Sequence, residues 1–151
     1  MCIRDRDTTA PMVTVRRHIP VDWTDYNGHM NEGRYGQVFS DAADAVMVHV
    51  GADAAYIEAG QSYFTVETTV KYLQETHAGT AVEVHSKVTV GAGKKLGLFH
   101  EMRGLDGTVL ATCNQLMIHV DLETRRSSLP AGTVQRKVEA LAAADKAEDM
   151  P

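Results

Sequence analysis

The sequence predicts an α+β domain in which an antiparallel β-sheet packs against one long helix. Two observations carry this prediction. Residues 32–50 repeat apolar side chains at helical spacing, and residues 64–120 then alternate apolar and polar side chains with a period of two. Turn-forming segments at 91–94 and 105–107 join the alternating stretches, which is typical of antiparallel hairpins. The length of 151 residues corresponds to one domain.

The two ends of the chain are predicted to lie outside this domain. Residues 1–12 show no periodicity, and we expect a disordered or non-native extension with Met12 as the natural start. The folded domain is expected over residues 13–130. A C-terminal helix and tail are expected over residues 131–151.

The first predicted elements are a strand and the long helix. The strand is expected from Thr14 to Trp23, and a polar run rich in turn formers follows it. Asn31 is a suitable N-cap for the helix, and Gly51 a suitable stop. The helix should be buried centrally, because one stripe along it is apolar throughout: Tyr35, Val38, Phe39, Ala42, Val46 and Val50.

Four strands are predicted after a loop or short helical turn at 52–60. Each should bury one face and expose the other to water. In the first of these strands the face predicted to be buried carries Phe64, Val66, Thr68, Val70 and Tyr72. Such a small sheet has one covered face and open edges, so we expect a homodimer or homotetramer formed by edge pairing or helix packing.

Composition and charge exclude several classes of protein. The net charge of −5 and the lack of a long Lys/Arg run argue against a nucleic-acid partner. No apolar stretch approaches the roughly 18–20 residues of a membrane span, so no membrane partner is expected. The two cysteines, Cys2 and Cys113, do not form a disulfide framework, and we expect a cytoplasmic protein.

The polar run before the long helix carries the clearest chemistry. It supplies a carboxylate at Asp25, an amide at Asn27 and an imidazole at His29. Gly28 permits a left-handed turn or close approach of a ligand, and the helix N-terminus offers N–H groups that stabilise a developing oxyanion. Hydrolysis of an activated acyl group needs these parts. The same residue types also form ordinary helix caps and turns, so spacing alone leaves both interpretations open.

A family resemblance favours the chemical interpretation. The stretch from Val21 to Tyr35 resembles the signature of hotdog-fold acyl-CoA thioesterases, the 4-hydroxybenzoyl-CoA thioesterase-like enzymes and their plant acyl-carrier-protein relatives. The resemblance extends over residues 13–125 and implies a hotdog fold, with the antiparallel sheet wrapped around the central helix. Segments 53–57, 62–65 and 93–102 are similar to the betainyl-CoA thioesterases of carnitine catabolism, whose domain also occurs fused to carnitine dehydrogenases. Without a Gly-x-Gly-x-x-Gly run, the stand-alone form is expected.

The resemblance implies a role for each residue of the motif. Asp25 lies at the position of the catalytic carboxylate and would act as nucleophile or as general base toward water. Asn27 and His29 match the residues that orient water or the carbonyl in the plant branch. Gly28 and the N–H groups after it would polarise the carbonyl. Glu67 lies near the place of a further acidic or polar catalytic residue, although it is equally well explained as a solvated strand residue.

A betainyl substrate requires further binding groups. A trimethylammonium group needs aromatic faces, for which we predict Trp23, Tyr26, Tyr63 and Phe64, although packing in the core or an interface is the commoner role for any one such residue. Coenzyme A is polyanionic, and either of two basic pairs could meet its phosphates: Lys94 and Lys95 in a hairpin turn, which we predict, or Arg125 and Arg126 after the last strand. A basic pair in a turn is more often simply solvated.

No metal and no other cofactor are expected. The seven histidines show no HxxxH spacing, and the sequence contains no CxxC pair.

Two alternatives to a thioesterase stay open. A hotdog hydratase or dehydratase shares the fold, and water addition to an enoyl thioester would identify it. A non-catalytic acyl-CoA-binding module would bind thioesters without turnover.

Overall fold

The computed structural model describes residues 12–148, with side chains described up to residue 145. The predicted extension over residues 1–12 lies outside this part, apart from Met12, which is buried in the first strand. The elements in chain order are β1 (Met12–His18), a short 3-10 turn (Val21–Trp23), α1 (Glu32–Val50), α2 (Ala54–Glu58), β2 (Gln61–Tyr72), β3 (Ala81–Ala92), β4 (Lys95–Gly104), β5 (Val109–Asp121), β6 (Arg126–Ser127) and α3 (Gly132–Glu148).

The strands form one antiparallel sheet in the order β1-β3-β4-β5-β2, and β6 pairs with the end of β5. Helix α1 covers one face of this sheet, as predicted. Its N-terminal half packs through Tyr35 and Phe39 against β3, β4 and β5. Its C-terminal half packs through Val46 and Val50, where α3 closes the core with Val134. The α+β architecture is therefore confirmed.

The limits of α1 follow from local chemistry and agree with the prediction. The Asn31 side-chain oxygen accepts a hydrogen bond from the Gly33 N–H at 2.9 Å. Gly51 ends the helix in the left-handed conformation at φ 90°, which costs glycine no Cβ clash. Cap and stop therefore fix both ends of the helix that crosses the sheet.

The first strand is shorter than predicted. It ends at His18 instead of Trp23, and residues Val21–Trp23 form the 3-10 turn. Pro20 separates the two, and because proline lacks an N–H it cannot continue the hydrogen-bonded ladder. The prediction was therefore wrong over the last five residues of that strand.

The predicted alternation of β2 was also wrong at one point. The register passes from Thr65 opposite Met117 to Glu67 opposite Leu116, so Val66 is an extra residue in a β-bulge. A bulge reverses which side chains face each side of the sheet. Phe64 consequently lies on the outer face, whereas residues 68, 70 and 72 lie on the α1 face. A period-two pattern does not reveal where an extra residue interrupts it.

Strand β2 forms one edge of the sheet and is largely uncovered. Residues 64–69 are all exposed, on both faces of the strand. Phe64 is 44% exposed, Val66 59% and Tyr72 52%. A strand of 12 residues with a free edge and exposed apolar side chains is a typical site of pairing with another strand.

A row of buried polar side chains runs across the sheet beneath α1. Its four members are Thr14, Ser86, His100 and Gln115, one from each of four adjacent strands. The His100 Nε2–H donates to the Gln115 side-chain oxygen at 2.8 Å, so Nδ1 accepts from the Ser86 hydroxyl at 2.6 Å. The Ser86 oxygen lies 2.9 Å from the Thr14 hydroxyl. The row is satisfied internally with a neutral imidazole.

This row makes stability depend on pH. Burial lowers the pKa of His100 from 6.5 to about 4, so between these values the unfolded chain binds a proton that the folded chain does not. The neutral His100 ring therefore stabilises the fold fully above pH 6.5. As pH falls toward 4, the free energy of unfolding decreases by about 3 kcal/mol. Urea unfolding at a series of pH values should show this decline.

The variant His100→Gln should flatten the decline, whereas the exposed His18→Gln should leave it unchanged. If His100→Gln does not fold, the NMR titration of the His100 ring provides the same test. A ring pKa near 6.5 would contradict the prediction.

Candidate active site

The predicted catalytic motif forms a tight loop directly before α1. Thr24 and Met30 pair as an isolated antiparallel bridge. Within that bridge the Asp25 N–H donates to the His29 carbonyl at 2.8 Å, and the Gly28 N–H donates to the Asp25 carbonyl at 3.0 Å. Gly28 has φ 76°, a conformation that favours glycine. The motif is therefore fixed by its own backbone.

The Asp25 carboxylate is exposed and stabilises this loop. Its Oδ1 accepts from the Asn27 N–H at 2.9 Å and from the His29 N–H at 3.2 Å. This is the turn role that the sequence left open. Because one oxygen accepts both bonds, the other can face solvent or a substrate. The turn role and a chemical role are thus compatible in the same side chain.

His29 faces a small cavity between the loop and the end of β2, here called the loop cavity. It measures about 290 Å³, and its lining includes His29, Tyr35, Tyr72 and Thr76. The His29 Nε2 lies 3.3 Å from a carboxylate oxygen of Glu75. Tyr72 packs edge-on against Tyr35 with ring centroids 5.0 Å apart, so the end of β2 is attached to the start of α1.

His29, Glu75 and His77 are the residues here that could hold a metal ion. Their ligand atoms all lie within 4.8 Å of one another, and the rings of His29 and His77 meet edge to face at 4.8 Å. Two imidazoles and one carboxylate suit zinc and related transition metals. Sequence spacing did not reveal this group, because the backbone pairing of residue 29 with residue 77 brings distant segments together.

The other predicted catalytic groups are placed differently. Asn27 is exposed on the loop, and the N–H of Gly28 already donates to Asp25. Glu67 is exposed near the middle of β2, on the outer face opposite Leu116. About 17 Å of strand separates it from Tyr72. A single chain therefore does not bring Glu67 beside the loop.

The four predicted aromatic binding residues divide into two pairs. Trp23 and Tyr26 lie at the loop, where Tyr26 is fully exposed. The guanidinium carbons of Arg17 and Arg34 lie 4.9 and 5.3 Å from the Trp23 ring centroid. The other pair lies at the start of β2: Tyr63 is buried there, with its pKa raised to about 12 by burial, and Phe64 is on the outer face.

The predicted CoA-binding lysines lie at the same end of the sheet as this second pair. Lys94 and Lys95 are exposed on the β3–β4 hairpin, and the Lys94 Nζ donates to the Ser127 hydroxyl at 3.3 Å. Lys95 is opposite Ile118, which is itself opposite Phe64. They are thus far along the sheet from the loop of their own chain.

A larger cavity lies at that same end, between α1 and the start of β2. This helix cavity measures about 400 Å³, and residues lining it include Asp44, Met47, Tyr63, Thr65 and Gln115. Asp44 could not be singled out from the sequence, because it lies on the polar side of a helix and outside every motif. Asp44 is exposed at this cavity, and the partial desolvation of its carboxylate, and secondarily the nearby Asp41, raise its pKa above the usual value.

Similarity to known proteins identifies the family of this chain. Residues 19–144 match the family described as the Thioesterase-like superfamily. The chain belongs to this superfamily. A Pseudomonas putida KT2440 structure described as a candidate thioesterase is 30% identical, with a TM-score of 0.78 over 93% of this chain and 91% of that one. A Staphylococcus aureus protein solved in complex with CoA shares the fold, at 22% identity and a TM-score of 0.84 over 93% and 90% of the chains. The predicted hotdog fold and the predicted thioesterase-like family are confirmed.

The names of two curated relatives include a substrate, betainyl-CoA. The L-carnitine dehydrogenase/betainyl-CoA thioesterase of Ruegeria pomeroyi is 43% identical over 96% of this chain, which spans only 30% of that longer protein. The betainyl-CoA thioesterase of Pseudomonas aeruginosa is 37% identical over 93% of this chain and 89% of its own length. The chain therefore matches a separate protein and one part of a larger one.

Proposed function

We propose that this superfamily member hydrolyses betainyl-CoA, releasing CoA and betaine. The observation that carries the proposal is the Asp25 loop, held rigidly in front of the α1 N-terminus in a chain that matches the Pseudomonas aeruginosa betainyl-CoA thioesterase over 93% of its residues. The exposed carboxylate and the helix N-terminus supply a negative group and N–H donors within one short segment.

The proposed chemistry uses the Asp25 carboxylate in one of two ways. As a nucleophile it attacks the thioester carbonyl, expels the CoA thiolate and forms an anhydride that water then cleaves. As a general base it takes a proton from water, and the water oxygen attacks the carbonyl instead. Both routes break the C–S bond and give a carboxylate and CoA-SH.

The carbonyl oxygen needs N–H donors in either route. The N–H groups of Asn27, Gly28, His29, Gly33 and Arg34 all donate within the loop or cap. We therefore propose that the N–H of the first helical residue, Glu32, donates to the carbonyl oxygen. Gly28, which has no side chain, leaves room for the thioester to approach this N–H.

The remaining motif residues orient water or support the reaction. Asn27 and His29 orient water or the carbonyl in this proposal, since Asn27 is exposed and His29 lines the loop cavity. We assign Glu67 no contact with the reacting groups, because two-fold pairing of two copies through β2 leaves it near the middle of the paired strands, and Glu67→Gln should therefore lower kcat far less than loss of Asp25.

We further propose that two copies pair through β2 in an antiparallel, two-fold arrangement, as a dimer or as the dimer within a tetramer. Residues at the start of β2 line the helix cavity, and Tyr72 at its end lines the loop cavity. Antiparallel pairing of β2 with itself sets the start of one strand beside the end of the other. The helix cavity of one copy then faces the loop cavity of its partner.

This arrangement supports the predicted binding residues. Trp23 and Tyr26 of one copy approach the helix cavity of the other, which Tyr63 lines, whereas Phe64 lies on the outer face of the sheet and is proposed to contact the partner strand instead. The exposed hairpin lysines, Lys94 and Lys95, lie on the copy that contributes the helix cavity and are proposed to meet the CoA phosphates.

A cytoplasmic location is part of the proposal. Cys113 is a buried free thiol, and burial raises its pKa to about 12, which supports a protein without disulfides. Within residues 12–148, no helix has the length and apolarity needed to cross a bilayer.

A substrate panel tests the proposed function. We expect CoA release from betainyl-CoA with a kcat/KM at least about a hundredfold above that for palmitoyl-CoA, because only the former fits a small cavity with acidic lining. Free thiol is measured with a chromogenic reagent. Preference for palmitoyl-CoA would overturn the substrate assignment. Hydration of crotonyl-CoA, or binding without turnover, would favour the hydratase or the binding module instead.

A further inference from the structure

The helix cavity has the size and lining of a small-molecule site. Its volume of about 400 Å³ falls within the usual range for ligand cavities, and most of its wall is apolar, with Ala43, Met47 and Met117 among its residues. Asp44 and Asp53 also line it, and no lysine or arginine does among the described residues. A cavity with this lining favours a cation over an anion or a neutral group.

The two carboxylates are not equivalent. The Asp53 side chain accepts from the Tyr56 N–H at 3.1 Å and caps α2, so it has a structural role. Within the described part of the chain, Asp44 forms no ion pair, whereas Asp41 one turn earlier lies 3.3 Å from Arg17. Asp44 is therefore the uncompensated negative charge at this cavity.

The position of Asp44 excludes a contact with the Asp25 loop of its own chain. Thirteen helical residues from Asn31 to Asp44 span about 20 Å, which is longer than a short acyl group. The proposed two-fold pairing places the loop of the partner at this cavity instead. The acyl end of a thioester held at that loop would then extend toward Asp44.

We propose that the helix cavity binds a quaternary ammonium acyl group and that Asp44 recognises its charge, an inference that rests on the proposed thioesterase function. Asp44 is a specificity-determining residue in this account, since it attracts the cation electrostatically and takes no part in the chemical step. Tyr63 offers an aromatic surface in the same wall.

A matched pair of substrates separates charge from shape. In tert-butylacetyl-CoA a carbon atom replaces the quaternary nitrogen of betainyl-CoA, so the two differ in charge and hardly in volume. Asp44→Asn should raise KM for betainyl-CoA by on the order of ten- to fiftyfold, with little change in kcat. KM for the neutral thioester should stay the same or fall. Asp41→Asn makes the same charge change one turn away, at a carboxylate already paired with Arg17, and should change the ratio of the two KM values far less.

Several outcomes would overturn the inference. If Asp44→Asn changes KM equally for both thioesters, or changes neither KM, this carboxylate does not distinguish a charged acyl group from a neutral one. If the wild-type protein hydrolyses neither thioester, the proposed function fails. Calorimetric titration of Asp25→Asn with both compounds then decides the inference separately, since equal dissociation constants would overturn it.

Discussion

Replacing Asp25 by asparagine should lower kcat for betainyl-CoA by about a thousandfold or more, because the variant loses the group proposed to attack the carbonyl or activate water. Asparagine keeps a side-chain oxygen that accepts from the Asn27 and His29 N–H groups, so the loop should keep its conformation. KM and the melting temperature should therefore change little. Steady-state CoA release and thermal unfolding measure the two effects.

The control for this variant is Asp22→Asn, which removes an exposed carboxylate three residues earlier and should retain full activity. Single turnover in heavy-oxygen water identifies the anhydride route if label enters the Asp25 side chain, since only an anhydride cleaved at its aspartyl carbonyl places a water oxygen there. Activity within tenfold of wild type in Asp25→Asn would exclude both routes and leave the carboxylate with its turn role alone.

The second large effect is expected at the free edge of the sheet. The double variant Phe64→Lys, Val66→Lys should convert the protein to a monomer, because a two-fold axis near the middle of β2 brings four added positive charges together. Activity should fall at least a hundredfold with the oligomer, since each proposed site takes residues from two copies. Light scattering after size-exclusion chromatography measures the mass.

The matched control places a lysine on the β4–β5 turn. Leu105 is 72% exposed there, so Leu105→Lys adds charge at an apolar surface away from β2 and should leave mass and activity unchanged. Mixing Asp25→Asn with Asp44→Lys subunits provides a further check, because one mixed dimer site regains both intact residues. An active monomer, or no recovery on mixing, would contradict the composite site.

The sequence predicted the main helix well because every local signal agreed. Asn31 caps it, Gly51 ends it, and one continuous apolar stripe faces the sheet. The predicted alternation of buried and less buried side chains holds in β3 up to Val88 and in most of β4. Each of these strands has a paired strand on both sides and one face covered by helix. The alternation fails in β2, where the Val66 bulge reverses the faces and the strand has only one neighbour.

The site was predictable only where it is local. Residues 25–31 are contiguous, so their chemistry could be read from the sequence. The contact of His29 with Glu75 and His77 depends on a pairing between segments far apart in the chain. Asp44 becomes informative only once a cavity beside α1 is known, because an isolated acidic residue on a helix is ordinary.

The buried row from Thr14 to Gln115 also limits how the strands can assemble. A slip of one residue between β3 and β4 would turn Ser86 or His100 to the opposite face and leave its partners without hydrogen bonds in an apolar interior. Each orphaned group costs about 1–3 kcal/mol, a large share of the stability of a small domain. The row thus penalises misaligned sheets during folding, and through His100 it also holds Gln115, which lines the helix cavity.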